Sequence, residues 1–193
     1  MGVLFYLQKN NFKGGYKIMA SNFSNYAPVK HGVAESTLLK ATQVGHHYNL
    51  VADVDIDNGN VAVIGDYVKS DLFKADIPAV GNKITLIITP VKIYEEYTTR
   101  MQEESNFYNA AGEAMRAYEI QDTDRFTLSA ECFDEDAVLE VGKYVVVNGT
   151  DYKLTTADSK PDMTTYGFVG HIYAIANNGN YRIFVDKNAP VYA

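Results

Sequence analysis

The 193-residue chain contains no tryptophan and a single cysteine, Cys132. One cysteine excludes a disulfide framework within the chain and any zinc site built from several thiolates. No apolar run approaches the roughly 20 residues that span a bilayer, so no membrane partner is expected. Positive charge is also scarce, because 17 Lys and Arg against 24 Asp and Glu give a net charge of −7. Proteins that bind nucleic acid concentrate Lys and Arg, so no nucleic-acid partner is expected either.

Sequence motifs that carry catalytic chemistry are also missing. The chain contains no H-E-x-x-H, G-x-S-x-G, P-loop or G-x-G-x-x-G pattern. The run Asp53-x-Asp55-x-Asp57 begins like a calcium loop, but Asn58 and Ile64 stand where that loop needs Gly and Glu. Read as a strand, the run would place its three carboxylates together on one exposed face.

The remaining candidate ligands and nucleophiles are equally weak. His46 and His47 are adjacent, and neighbouring residues of a strand point to opposite faces, so they cannot readily chelate one metal. Cys132 lies in an acidic stretch, where carboxylates raise a thiol pKa, and we expect an unreactive thiol that is either in the core or half-buried. The sequence therefore predicts no catalytic residue, no cofactor and no metal site.

The first eighteen residues carry a signal of a different kind. Lys13-Gly14-Gly15 can be encoded as a bacterial ribosome-binding site, and Met19 follows after a short spacer. We therefore expect that residues 1–18 are a translated leader and that the gene is bacterial or from a bacterial virus. The alternative is a genuine N-terminal strand.

What the sequence does contain is strand and turn signals. Aromatic residues are plentiful, with 15 Tyr and 9 Phe, and 47% of the chain is hydrophobic against 21% charged, which is typical of a globular protein. Asn-Gly pairs, the favoured two-residue hairpin turn, are flanked by β-branched and aromatic residues. The three pairs are Asn58-Gly59, Asn148-Gly149 and Asn178-Gly179. Each predicts a hairpin, and we expect Gly59 at positive φ, so that Gly59→Val should destabilise the fold by roughly 1 kcal/mol or more.

Two other segments complete the predicted architecture. Ile84 to Ile88 is a continuous apolar run that ends near Pro90, which indicates a buried strand. Residues 95–117 are rich in Glu, Met, Ala and Gln, without strand alternation, which predicts a helical or irregular insertion. It would separate an arm and β-rich portion at 19–94 from a C-terminal β-rich portion at 118–193. The predicted fold is mainly β, with short antiparallel strands in small barrels or a sandwich.

Two stretches resemble a known class of virion proteins. One is Asp53 to Val68, which ends in Gly-Asp-Tyr-Val. The other is Phe107-Tyr108-Asn109-x-Ala111-Gly112-x-x-x-Arg116-Ala117-Tyr118, followed by Asp124-x-Phe126-x-Leu128. They resemble the head decoration proteins of tailed bacteriophages, also called capsid-stabilising or head-fibre proteins, over about residues 20–155.

This resemblance implies a structural role without catalysis. The protein would be made in the bacterial host cytoplasm and would bind the major capsid protein on the outside of the virion, with a possible homo-oligomer on the shell. Aromatic residues and Arg anchor interfaces, which makes Phe23 and Tyr26, in an N-terminal arm, and Phe107, Tyr108 and Arg116 the candidate capsid contacts. For the second group, packing against the protein's own sheet is the alternative.

Other functional classes stay open on the sequence. An adhesion or glycan-binding β-module of phage or bacterial origin would use tyrosine faces to stack on sugars. A hydrolase would use a pair of carboxylates, although nothing in the sequence selects one pair over another.

Overall fold

The computed structural model describes residues 30–91 and 103–192. This part of the chain is built mainly from strands, which confirms the predicted fold class, and it contains one five-residue α-helix. The elements are β1 (Ala34–Glu35), α1 (Lys40–Val44), β2 (His47–Val51), β3 (Val61–Lys69), β4 (Leu72–Asp76), β5 (Thr85–Ile87), β6 (Met115–Glu119), β7 (Arg125–Leu128), β8 (Tyr144–Val147), β9 (Leu154–Ala157), β10 (Phe168–Ile175) and β11 (Tyr181–Asn188).

The first half of the described chain forms a closed barrel in the order β2-β4-β3-β5-β6. Its strand pairs are antiparallel except β2 with β4, where Asn49 lies opposite Leu72 in parallel register. The barrel closes where β6 returns to pair with β2, from His47 opposite Tyr118. A small apolar core fills it, including Leu50, Ile87 and Met115.

A six-stranded antiparallel sheet follows, in the order β1-β7-β11-β10-β8-β9. The short strand β1, from before the barrel, lies at one edge of this sheet. On β11, Ile183 and Val185 face the core and alternate with the exposed or half-buried side chains Arg182, Phe184 and Asp186. The sheet therefore has one buried face and one outer face.

One hydrophobic core joins the barrel to the buried face of the sheet. Its members come from barrel strands and from sheet strands, and they include Val61, Leu86, Phe126, Leu128, Val145, Leu154, Phe168, Ile172, Ile183 and Val185. Burial of such side chains contributes about 1.5–3 kcal/mol each, so this shared core is a principal source of stability.

Asn188 provides a polar connection across the same boundary. It is buried at the end of β11, and its side-chain oxygen accepts a hydrogen bond from Ile84 N at 2.9 Å. Its amide group donates to Ile84 O at 2.9 Å and to Ile120 O at 2.8 Å. One side chain thus satisfies three backbone groups next to β5 and β6.

The helix α1 receives its cap from a distant residue. Leu39, at the N-cap position, makes no side-chain cap hydrogen bond. Asp124 instead accepts a hydrogen bond from Lys40 N at 3.2 Å and another from Gln121 N at 2.9 Å, and its side chain is fully buried. These bonds satisfy one of the free N–H groups at the start of the helix.

The predicted hairpin at Asn58-Gly59 is wrong, because β2 and β3 are not neighbours in the barrel. Gly59 does have positive φ, at 89°. Asn58 is buried, and its amide pairs with Thr89 N and O while accepting a hydrogen bond from Asn109. The turn therefore docks on the segments around residues 89 and 109 and does not join two paired strands.

The other two hairpins are confirmed, although their connections are longer than predicted. β8 pairs with β9 across residues 148–153, and β10 pairs with β11 across residues 176–180. Gly149 and Gly179 have positive φ, but the asparagines before them do not. The two-residue turn requires positive φ at both positions, so these loops use the glycine alone.

The predicted insertion at 95–117 is only partly within the described residues. There, residues 104–106 form a single 3-10 turn and Met115 begins barrel strand β6. The predicted boundary of the insertion is therefore wrong at 115–117, because these residues belong to β6, the strand that closes the barrel, and Ala117 is buried in the barrel core. Residues 95–102 lie outside the described part of the chain.

Candidate interaction surfaces

The predicted capsid contacts are placed in different environments. Phe23 and Tyr26 lie outside the described residues. The side chain of Phe107 is only 3% exposed, so at that position the alternative of packing within the protein is correct. Tyr108 is half-buried. Arg116 lies on β6, where its backbone N–H donates to Thr89 Oγ1 at 3.0 Å while its Nε is buried without a hydrogen-bond partner.

His31 fixes the beginning of the described chain to the barrel. Its Nδ1 lies 2.8 Å from Asp57 Oδ1, and the other carboxylate oxygen of Asp57 accepts a hydrogen bond from Gly32 N at 3.0 Å. The His31 ring also packs against Tyr108, with ring centroids 4.9 Å apart. The interpretation that Asp57 shares a solvated strand face with Asp53 and Asp55 is therefore wrong, since Asp57 binds a neighbouring segment.

A shallow groove lies beside the edge strand β1. It has a volume of about 190 Å³ and is lined by Gly32, Val33, Ala34, Asn58, Ile88, Thr89, Pro90, Val91 and Glu104. Most of this lining comes from residues 32–34, which lead into β1, and from residues 88–91, which follow β5.

An aromatic surface lies at the margin of the small barrel core. It consists of Tyr48 on β2, Tyr67 on β3 and Phe73 on β4, and we refer to these three residues as the aromatic surface. Phe73 lies edge-on to both tyrosines, with ring centroids 5.9 Å from Tyr67 and 6.4 Å from Tyr48. Tyr67 is 62% exposed, whereas the other two are half-buried. The arrangement presents a large, ordered apolar group to solvent.

Sequence reasoning missed this surface even though one signal was available. Tyr67 belongs to the Gly-Asp-Tyr-Val run that carried part of the phage resemblance, yet it was not selected as a contact. Tyr48 and Phe73 are too far from it in sequence to be grouped without the pairing of β2, β4 and β3.

A larger depression lies on the outer face of the six-stranded sheet, with a volume of about 540 Å³. It is lined by Gly142, Tyr144, Lys160, Met163, His171 and Asp186. Tyr144 and His171 are directly opposite each other on β8 and β10. His171 Nδ1 lies 2.8 Å from Asp186 Oδ2, and the imidazole packs on Phe184 with centroids 5.4 Å apart. We refer to this feature as the sheet depression.

Several other titratable side chains make contacts within the fold. Hydrogen bonds from His46 and Lys83 lower the pKa of Glu119, while His47 contacts Tyr118. The pKa of the Cys132 thiol is raised to about 12. The main cause is burial of the side chain, and the neighbouring acids that the sequence pointed to contribute less. Among the described residues, no group of three or more His, Cys, Asp or Glu side chains is placed to hold a metal ion.

No protein-family model, curated protein or solved structure matches this chain. In residues 30–91 and 103–192, no helix has the length and apolar character that crossing a membrane requires.

Proposed function

We propose that this protein is a virion structural protein of a tailed phage and binds the outside of the capsid through the major capsid protein. The observation that carries the proposal is the aromatic surface, with Tyr67 exposed inside the run that resembles decoration proteins. Tyrosine is enriched among the residues that dominate binding energy at protein interfaces. The sequence resemblance supplies the partner, and the aromatic surface supplies a place to bind it.

The geometry of the aromatic surface suits an anchor. Phe73 and Tyr48 pack partly against the barrel core, and Phe73 supports the exposed ring of Tyr67 edge-on. Edge-to-face packing holds an aromatic side chain in place, so less conformational entropy is lost when a partner covers it. Many copies on a symmetric shell would then multiply a moderate affinity at each site.

The N-terminal arm is the second proposed contact. Removal of residues 1–28 is expected to leave the melting temperature nearly unchanged and to reduce capsid occupancy sharply. Phe23→Ala combined with Tyr26→Ala should reproduce most of that loss, because large aromatic side chains carry much of the energy of an interface.

Co-sedimentation with empty shells assembled from the major capsid protein of the phage that carries this gene tests the proposal. Tyr67→Ala should weaken binding by at least about tenfold, the effect of losing an aromatic anchor. The matched control is Tyr192→Ala, which removes a tyrosine that is 87% exposed and does not belong to the aromatic surface. This variant should leave capsid binding unchanged.

Three outcomes would contradict parts of this proposal. If intact protein does not bind the shells, the capsid function is wrong. If Tyr67→Ala binds as well as the intact protein, the aromatic surface is not the contact. If the protein without residues 1–28 still coats shells fully, the arm is not an anchor.

A further inference from the structure

We propose that the sheet depression is a binding site for a neutral saccharide, separate from the capsid contact. Its floor carries the Tyr144 ring and the His171 imidazole side by side on adjacent strands. Its polar lining comes from the imidazole, the Asp186 carboxylate and the Lys160 ammonium group, and Lys160 and Met163 belong to a wall formed by the loop between β9 and β10. A concave site with an apolar floor and a few convergent polar groups is the usual form of a small-molecule site.

The polar groups on the floor are held in fixed positions. The bond between His171 Nδ1 and Asp186 Oδ2 sets the orientation of the imidazole, and stacking on Phe184 supports the same ring. Because Nδ1 is already engaged, Nε2 is the ring nitrogen left to bind a ligand.

The loop between β9 and β10, which forms this wall, is held to the sheet by two lysines. Lys187 Nζ donates to Met163 O at 2.6 Å and to Tyr166 O at 2.9 Å. Asp162 accepts hydrogen bonds from Thr164 N at 2.9 Å and from its hydroxyl at 2.8 Å. Lys143 Nζ lies 2.6 Å from Asp158 Oδ1, which joins the start of the loop to the sheet. A wall fixed in this way avoids much of the ordering cost of binding.

The mixture of groups selects the class of ligand. The lining contains one ammonium group, from Lys160, and one carboxylate, from Asp186. An anionic ligand would face the Asp186 carboxylate, and an apolar ligand would take water away from the polar groups of the lining without offering them hydrogen bonds. A sugar supplies an apolar ring face for Tyr144 and hydroxyl groups that both donate and accept hydrogen bonds.

The test uses the full chain and a panel of neutral saccharides. Glucose, galactose, mannose and N-acetylglucosamine, with their short oligomers, would be titrated to about 10 mM by saturation-transfer NMR, which reaches weak affinities. At least one should bind, and Tyr144→Ala and Lys160→Ala should each weaken it by at least about fivefold to tenfold. Lys160 is exposed, so Lys160→Ala keeps the test valid even if Tyr144→Ala unfolds the chain.

Tyr67→Ala is the matched control, because it removes an exposed tyrosine from the barrel and should leave saccharide binding intact. Absence of binding by every neutral probe would overturn the proposal. Binding only to sialylated or phosphorylated sugars, with strong salt dependence, would overturn it in favour of an anion site. Binding that survives both depression variants but is lost in Tyr67→Ala would place the sugar elsewhere. None of these results depends on capsid binding.

Discussion

At the scale of single residues, a cysteine and two glycines form one close-packed unit. A β-carbon added at Gly32 would lie 2.8 Å from Cys132 Sγ. One added at Gly59 would come closer still to the same sulfur and would lie 2.9 Å from Leu128 Cδ2. The thiol therefore occupies space that only glycine leaves open. Gly59 is constrained twice, by this packing and by its φ of 89°.

We expect Gly59→Ala to lower the free energy of unfolding by about 2–4 kcal/mol, from backbone strain and overpacking together. Gly179→Ala is the matched control, since Gly179 has a φ of 84° but nothing within 4 Å of an added β-carbon. It should cost about 1 kcal/mol, from strain alone. Urea unfolding followed by circular dichroism measures both, and equal losses would show that packing around Cys132 is not limiting. Gly59→Val should cost more than the alanine variant.

The positive φ of Gly59 could be predicted from sequence, but its surroundings could not. The Asn-Gly pair indicates a turn through local backbone preferences, which act over a few residues. The contacts with Cys132 and Leu128 come from segments about seventy residues away, and no local preference encodes them. For the same reason the aromatic surface and the sheet depression were not found in advance.

At the scale of elements, Asn188 joins β11 to the barrel through hydrogen bonds with Ile84 and Ile120. We expect Asn188→Asp to lower the free energy of unfolding by about 2–4 kcal/mol, because a carboxylate would face two backbone carbonyls that now receive N–H donors. Thermal unfolding at neutral pH measures the loss.

Asn178→Asp provides the control for that substitution. Asn178 is exposed in the loop between β10 and β11, and it accepts a hydrogen bond from Asn180 N through its oxygen, which aspartate retains. The melting temperature of the Asn178→Asp variant should stay within about 1–2 °C of that of the unchanged protein. A similar small shift for Asn188→Asp would mean that the connection between β11 and the barrel contributes little.

The elements differ in how far sequence could predict them. β10 and β11 are neighbours in the chain, so alternation and a turn signal were enough to predict their pairing. β2 pairs with β4 and β6 but not with β3, and such long-range pairing is not written in local periodicity. The start of β6 was included in the predicted insertion because the segment is rich in Glu, Met, Ala and Gln and shows no strand alternation, whereas burial in the barrel makes it a strand.

At the scale of the whole molecule, carboxylates set the response of stability to acid. Hydrogen bonds from His46 and Lys83 hold the pKa of Glu119 below its ordinary value of 4.5. A carboxylate whose pKa is lower in the folded state stabilises the fold above its unfolded-state pKa. That contribution is lost as the pH falls through the folded-state value.

The melting temperature should therefore decline as the pH falls below about 4.5. Glu119→Gln should be less stable than the unchanged protein at pH 7 and should show a smaller decline in acid. The control is Glu135→Gln, which changes an exposed glutamate and should keep the original profile. Calorimetry between pH 3 and 7 checks the prediction, and an unchanged acid decline in Glu119→Gln would contradict it.

The order in which strands pair has a consequence for synthesis on the ribosome. β2 cannot pair with its antiparallel neighbour β6 until residue 118 has emerged from the ribosome. β1 cannot pair until β7 has been synthesised, because Ala34 lies opposite Leu128. The shared core is completed only when β11 has been synthesised, because β11 supplies Ile183 and Val185. Non-local pairing of this kind slows folding and leaves apolar strands exposed in the meantime. A nascent chain stalled before residue 181 would therefore be an incomplete sheet with an open apolar face, a natural target for chaperones and proteases.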